Sequence, residues 1–151
     1  MSRLLAAAFL ALAGCSTGGG LATRALEIGP DAPIFVEITR VQGWFSNTSS
    51  PVELSVDVEN ISDFDVTIQR ITVQSDGRSA FGIDAVSKPV NELISEHENF
   101  TLDVNTWGRQ TRSLRPNEAS EIVLFVRVLL TNGDSYTAGY SVRVESSGRF
   151  F

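Results

Sequence analysis

The chain has 151 residues, of which 42% are hydrophobic, a formal net charge of −6 and a single cysteine. This length fits one domain with a core large enough to fold without disulfides. The acidic balance excludes nucleic acid as a partner, because its recognition needs a basic surface, and it gives no attraction to an anionic membrane. Since His97 is the only histidine, zinc lacks ligands, and we expect no metal and no cofactor.

The chain opens with a short positive segment and an apolar run. Arg3 precedes the run Leu4–Ala13, which is too short to cross a bilayer as a helix, since that takes about 20 residues. Small residues then lead to Cys15, and this layout is typical of a signal peptide. The residues Leu12-Ala13-Gly14-Cys15 resemble the lipobox of bacterial lipoproteins.

The resemblance to lipoproteins implies a processing route and a location. Residues 1–14 would be cut off, and Cys15 would carry a diacylglyceryl group on its sulfur and an acyl chain on its new amino group. Two or more chains hold a protein stably in a membrane. Ser16, rather than Asp, follows the cysteine, which resembles lipoproteins sent on to the outer membrane. We therefore expect a lipid-anchored protein of the cell envelope, on the periplasmic face of the outer membrane.

Residues 15–32 are predicted to be a flexible tether. They contain the glycine run 18–20 and the pairs Gly29-Pro30 and Ala32-Pro33 at the end, without sustained periodicity. A flexible linker of this length spans roughly 25 Å on average. The glycine run lacks the Lys-Ser/Thr ending of a phosphate-binding loop, so we interpret it as a spacer. The folded domain is predicted at 33–146, followed by a tail at 147–151.

The first half of that domain shows the two-residue period of half-buried strands. The predicted elements are a strand from Ile34 to Ile38, a loop at 42–51, a strand from Val52 to Val58, a turn at 60–65 and a strand from Val66 to Val73. The pair Gln69-Arg70 interrupts the last alternation, which predicts a bulge.

The second half mixes further strands with less regular segments. The predictions are a short strand at 80–86, one or two helical turns within 88–98, a strand from Phe100 to Val104 and a loop at 107–117. A central strand at 121–131, covered on both faces, is then followed by a hairpin turn at Asn132-Gly133-Asp134 and a strand from Tyr136 to Val144. The spacing of the strands predicts an all-β, antiparallel, immunoglobulin-like β-sandwich of about seven strands.

A second resemblance supports this fold. In Leu54–Gly77, an apolar strand ends in the turn Val-Glu-Asn-Ile-Ser-Asp-Phe-Asp and the chain returns as another strand. This segment looks like the core of late-embryogenesis-abundant type 2 domains and other immunoglobulin-like modules. The resemblance implies a sandwich, and it carries over no functional residue.

Two groups of loop residues are candidates for binding. Trp44, Phe45 and Trp107 lie in predicted loops, where aromatic rings either stack on sugars or fold back to close the end of the sandwich. Arg109 and Arg112, with Arg115, form the only basic cluster, which either meets phosphates and acidic glycans or is simply solvated.

Other polar groups are candidates for metal binding and catalysis. Asp57, Glu59, Asp63 and Asp65 gather around one turn, where they either bind calcium or form a solvated face. His97 is the only base for a Ser-His-Asp site, and the chain has no Gly-x-Ser-x-Gly elbow. We therefore expect a non-catalytic binding or structural module. Its partner would be an envelope protein that adds a strand at a sheet edge or, alternatively, a glycan; an enzyme is the least favoured class.

Overall fold

The computed structural model describes residues 24–26, 31–43, 45 and 48–144. These residues form nine strands, all paired antiparallel. The strands are β1 (Arg24–Leu26), β2 (Ile34–Gly43), β3 (Ser50–Asn60), β4 (Val66–Ser75), β5 (Phe81–Ile83), β6 (Val86–Ile94), β7 (Asn99–Gln110), β8 (Glu121–Leu130) and β9 (Ser135–Arg143). No helix within the described part of the chain is long and apolar enough to cross a membrane.

The strands form two sheets packed face to face. One sheet has the order β1-β9-β8-β4-β6 and the other has the order β2-β3-β7-β5. This arrangement confirms the predicted antiparallel β-sandwich. It has two more strands than expected: β1, which lies in the predicted tether, and β6, where helical turns were predicted. The predicted central strand, β8, is in the middle of its sheet.

The core lies between the sheets and is built from alternate residues of the long strands. Val56 and Val58 of β3 belong to this core, as do Val126 and Val128 of β8 in the other sheet, and all four are fully buried. Burying a valine side chain contributes roughly 1.5–3 kcal/mol relative to leaving it exposed. The hydroxyl of Tyr140 adds a polar link, since it donates a buried hydrogen bond from β9 to the carbonyl oxygen of Val36 on β2. Burial raises the pKa of this phenol, and the charge of Glu37 adds to the effect.

Two bulges keep apolar side chains in the core where the alternation breaks. The register of β4 shifts between Ile68 and Arg70, which confirms the predicted bulge. A second shift occurs between Ile38 and Arg40 of β2. In each case two exposed residues separate two buried ones, so the extra residue restores the inward face after the break.

The helical turns predicted within 88–98 are wrong, because β6 is a strand at the edge of its sheet. Pro89 is tolerated there, since an edge strand leaves one row of backbone donors unpaired. Asn91 has a positive φ of 54° in the bulged part of β6. Because of this bulge, Ile94 is buried and Leu93 is 57% exposed. The apolar residues of β6 therefore depart from the two-residue period of a strand, and their spacing favoured a helix in the prediction.

Three other boundaries differ from the prediction. The predicted loop 107–117 begins late, because β7 continues to Gln110 and pairs with β3 and β5. The predicted tether 15–32 contains β1, whose backbone pairs with β9. The central strand β8 is buried on one face only, and Phe125 on its other face is half-buried. The tail at 147–151 lies outside the described residues.

The strand ends define two poles of the sandwich. The Asn60 end consists of residues 31–33 and the turns 60–65, 95–98 and 131–134. The arginine end consists of Phe45, residues 48–49 and the connections 76–80, 84–85 and 111–120.

One buried side chain, Asn60, clamps the turns at its end. Its Nδ2 donates to the carbonyl oxygens of Phe64 at 2.7 Å, Ile94 at 3.1 Å and Ser95 at 3.2 Å. Its Oδ1 accepts hydrogen bonds from the backbone N–H and the hydroxyl of Ser62. The residue is 0% exposed, so these bonds satisfy an amide that would otherwise be costly to bury. They join the β3–β4 turn to the β6–β7 turn, and thereby one sheet to the other.

We expect Asn60→Ala to lower the free energy of unfolding by about 2–4 kcal/mol, because it leaves several buried polar groups unpaired. Asn105→Ala, at an exposed position of β7, should change it by less than about 0.5 kcal/mol. Urea denaturation of both variants measures the difference. Equal stability of the two variants would refute the role assigned to Asn60.

Candidate functional site

An open cleft lies at the Asn60 end. Its volume is about 510 Å³, and it is bounded by residues 31–33, the β3–β4 turn and the β8–β9 turn. The floor includes Val66 and Leu130, both buried core residues. The Asn60 clamp shapes one wall, because it fixes the carbonyl oxygen of Phe64 and the backbone of Ser62.

The walls of the cleft combine exposed apolar side chains with carboxylates. Phe64 is 60% exposed and Ile61 is 49% exposed, although both are large hydrophobic residues. Asp31, Asp65 and Asp134 lie around them. The cleft therefore offers apolar contact area next to negative charge, a combination that suits a ligand with both an apolar part and a cation.

No sequence motif marks this cleft. Its members come from three separate segments, and only the fold brings them together. The one local signal is Phe64, which stands between Asp63 and Asp65 in a turn. A large apolar residue in a short acidic turn either folds back into the core or stays in solvent, and here it stays in solvent.

The polar residues considered for catalysis and calcium are dispersed. His97 lies at the Asn60 end, where its ring is 3.6 Å from the carboxylate of Asp63, and both side chains are largely exposed. Asp57 and Glu59 lie at outward-facing positions of β3, and Asp63 lies in the turn that follows this strand. Among the described residues, no three His, Cys, Asp or Glu side chains form a group that could hold a metal ion.

The loop aromatics separate into two environments. Phe45 is only 3% exposed, and its ring centroid is 5.3 Å from that of Phe81. It packs over Gly108, where an added Cβ would lie 2.6 Å from the Phe45 ring. Phe45 therefore closes the arginine end as a plug, which is one of the two alternatives predicted for the loop aromatics, and its buried ring is not available to a ligand.

Trp107 is in a different environment from Phe45. Trp107 lies on the outer face of β7, opposite Pro51, and is 54% exposed. Trp44 lies outside the described residues. Cys15, the predicted lipidation site, also lies outside the described residues.

Of the candidate arginines, Arg112 has a structural partner and Arg109 is exposed. The guanidinium of Arg112 binds both carboxylate oxygens of Glu118, at 2.7 and 2.5 Å, and donates to the carbonyl oxygen of Arg78. These bonds hold the 111–120 connection against the 76–80 connection. Arg109, on β7, and Arg115, in the connection, expose their side chains.

Comparisons with known proteins identify no family for the chain. No protein-family model matches it, and no curated protein matches it. The matching solved structures include two β-glucuronidases of Bacteroides uniformis, each with a TM-score of 0.46, at 10% and 11% identity. These matches cover 72% and 79% of this chain but only 12% and 14% of the glucuronidases. A Northeast Structural Genomics Consortium target matches with a TM-score of 0.42 at 7% identity, over 82% of this chain and 88% of the target. Similarity at this level assigns no function.

The Arg112–Glu118 pair predicts a pH effect on stability. The hydrogen bond from Arg112, helped by the backbone N–H of Arg115, lowers the pKa of Glu118 from 4.5 to about 2. The folded chain therefore binds this proton less readily than the unfolded chain, so the stabilisation is present above pH 4.5 and is lost as the pH falls toward 2.

We expect Glu118→Gln to flatten the fall in unfolding free energy between pH 4.5 and 2 relative to the unmodified protein. Arg112→Gln should flatten it in the same way, because it removes the other half of the pair. Denaturation midpoints measured across this pH range give the profiles. Unchanged slopes in both variants would contradict the effect of the ion pair on Glu118.

Proposed function

We propose that this chain is a lipid-anchored protein of the cell envelope whose β-sandwich is a non-catalytic binding module. The observation that carries the anchor is the lipobox-like Leu12-Ala13-Gly14-Cys15 behind Arg3 and an apolar run. Acylation of Cys15 explains why a chain with one cysteine has it directly before a glycine-rich segment. Ser16 supports an outer-membrane location facing the periplasm.

The cleft at the Asn60 end supports the binding role. A polypeptide partner with an apolar residue flanked by lysine or arginine would contact Phe64 and Ile61 and pair with the surrounding carboxylates. We therefore propose a basic segment of another envelope protein as the partner. The turn backbone around Asn60 is held by hydrogen bonds before the partner arrives, which lowers the ordering cost of binding.

A glycan-binding surface is the second candidate function. The exposed ring of Trp107 favours it, because an aromatic face stacks on sugar rings. Phe45 cannot contribute, since its ring is buried against Phe81. The glycan proposal therefore rests on Trp107 and Arg109, which lie two residues apart on the same outer face of β7.

We expect Cys15→Ser to move the protein from the membrane fraction to the soluble fraction of the envelope, because no acyl chain can attach to the serine. Ser16→Ala, which keeps the thiol, should leave the protein with the membranes. Fractionation and immunoblotting of both variants measure the distribution. A Cys15→Ser protein that stays fully with the membranes would overturn the proposed anchor.

The cleft proposal predicts binding of a synthetic peptide that alternates lysine and leucine. Asp31→Asn combined with Asp65→Asn should weaken this binding by about 2- to 30-fold, since each exposed charge pair is worth roughly 0.2–1 kcal/mol. Phe64→Ala should weaken it further. Titration calorimetry measures the dissociation constants.

Two matched variants control for the cleft experiment. Asp84→Asn removes a carboxylate at the arginine end, and Leu93→Ala removes an exposed apolar side chain from β6. Both should bind the peptide like the unmodified protein. Equal loss of binding in cleft and control variants would show that the peptide binds by net charge and would refute the cleft as its site.

A further inference from the structure

Charge is distributed unevenly between the two ends of the sandwich. Within the described residues, the Asn60 end has no lysine or arginine, and it has six carboxylates: Asp31, Asp63, Asp65, Glu96, Glu98 and Asp134. The net acidity of the chain is therefore concentrated at the end that carries the cleft.

The arginine end has the opposite character. Among the described residues, this end and the strand residues next to it have five arginines against four carboxylates, which gives 5 − 4 = +1: Arg78, Arg109, Arg112, Arg115 and Arg143 against Asp76, Asp84, Glu118 and Glu121. Three of those carboxylates already accept hydrogen bonds from neighbouring groups. An anionic surface would therefore attract this end and repel the other one.

The backbone of β1 fixes where the chain enters the sandwich. Arg24 pairs with Ser141, two residues before β9 ends at Arg143. Because β1 runs antiparallel to β9, its first residue, Arg24, is the one nearer the arginine end. The Asn60 end begins six residues away, at Ser135, which is about 20 Å along a strand.

The distance between the anchor and the sandwich is short. Cys15 and Arg24 are nine residues apart, because 24 − 15 = 9. Nine residues span about 30 Å when fully extended, and a Gly-rich chain of this length spans roughly 16 Å on average. A membrane that holds Cys15 is therefore within ordinary reach of the arginine end and further from the Asn60 end.

The arginine end also exposes apolar and aromatic groups suited to a lipid headgroup region. Leu114 is 37% exposed between Arg112 and Arg115 in the 111–120 connection. Trp107 is 54% exposed, two residues from Arg109 on the adjoining strand. Tryptophan favours the membrane–water interface, and guanidinium groups pair with phosphates.

We propose that the arginine end docks on the anionic phospholipid headgroups of the membrane that holds the anchor. This inference rests on the proposed lipid anchor at Cys15. Arg109 and Arg115 contact headgroup phosphates, and Leu114 and Trp107 enter the interfacial layer. The long strands of the sandwich then run away from the membrane surface. The cleft at the Asn60 end then faces away from the membrane, toward a partner.

The test uses the full-length lipidated protein in vesicles and a fluorophore on one introduced cysteine. Cys15 is the only natural cysteine, and its acylated sulfur does not react with a maleimide. Ser113→Cys places the label at the arginine end and Thr131→Cys places it at the Asn60 end. A quencher attached to the lipid headgroups reports how close each label lies to the membrane.

In vesicles of phosphatidylcholine with 30% phosphatidylglycerol, we expect quenching at position 113 to exceed quenching at position 131 at least threefold. Arg109→Gln with Arg115→Gln should remove most of this difference, as should vesicles of pure phosphatidylcholine. Arg70→Gln with Arg127→Gln, which removes the same charge from the middle of the sheet, should preserve it.

Equal quenching at both positions, or stronger quenching at position 131, would overturn the proposal. A difference in quenching between the two positions that persists in the Arg109→Gln, Arg115→Gln variant would overturn the recognition of headgroups by these arginines. In that case the tether alone would orient the domain. Failure of the anchor gives another result: Cys15 itself takes up the maleimide and the protein does not remain on the vesicles. That outcome refutes the proposed function and the docking surface with it.

Discussion

The fold depends on the burial of one amide, that of Asn60. Apolar burial holds the sheets together, but it is non-directional and does not decide how the connecting turns are arranged. Asn60 supplies that direction, because its side chain binds carbonyl oxygens from two turns that connect the sheets. The backbone of the same residue also bonds to Glu98 and His97 in the β6–β7 turn. The cleft wall around Phe64 is a consequence of this clamp.

The sequence predicts the long strands well, because their inward residues are consistently apolar. Val52–Val58 and Tyr136–Val144 follow the period of two and are strands in the structure. Prediction fails where an inward position is not apolar or a bulge changes the spacing. Gly108 is an inward position that is not apolar, because the ring of Phe45 fills the space that a side chain would take there. In β6, the backbone irregularity at Asn91 gives the apolar residues a spacing that imitates a helix.

The candidate sites show what a single sequence cannot supply. Net charge indicates no attraction to a membrane. Within the described residues, however, the fold gathers six carboxylates and no lysine or arginine at the Asn60 end, and it leaves a small excess of arginines at the other end. The carboxylates around Phe64 come from distant segments, so their proximity needs the topology. Conversely, the residues of the lipobox-like motif are consecutive in the chain, so the proposal of a lipid anchor rests on the sequence alone. Together these features underlie the proposal of a domain with one end for the membrane and the other for a partner.

The most direct measurement of the central claim is the mass of the N-terminal tryptic peptide from membrane-extracted protein. Trypsin cleaves after Arg24, so a processed and acylated chain gives the peptide Cys15–Arg24 with a diacylglyceryl group and an amide-linked acyl chain. We predict this mass. An unmodified peptide Leu4–Arg24, which retains the apolar run and a free thiol, would contradict the lipid anchor and the envelope location that follows from it.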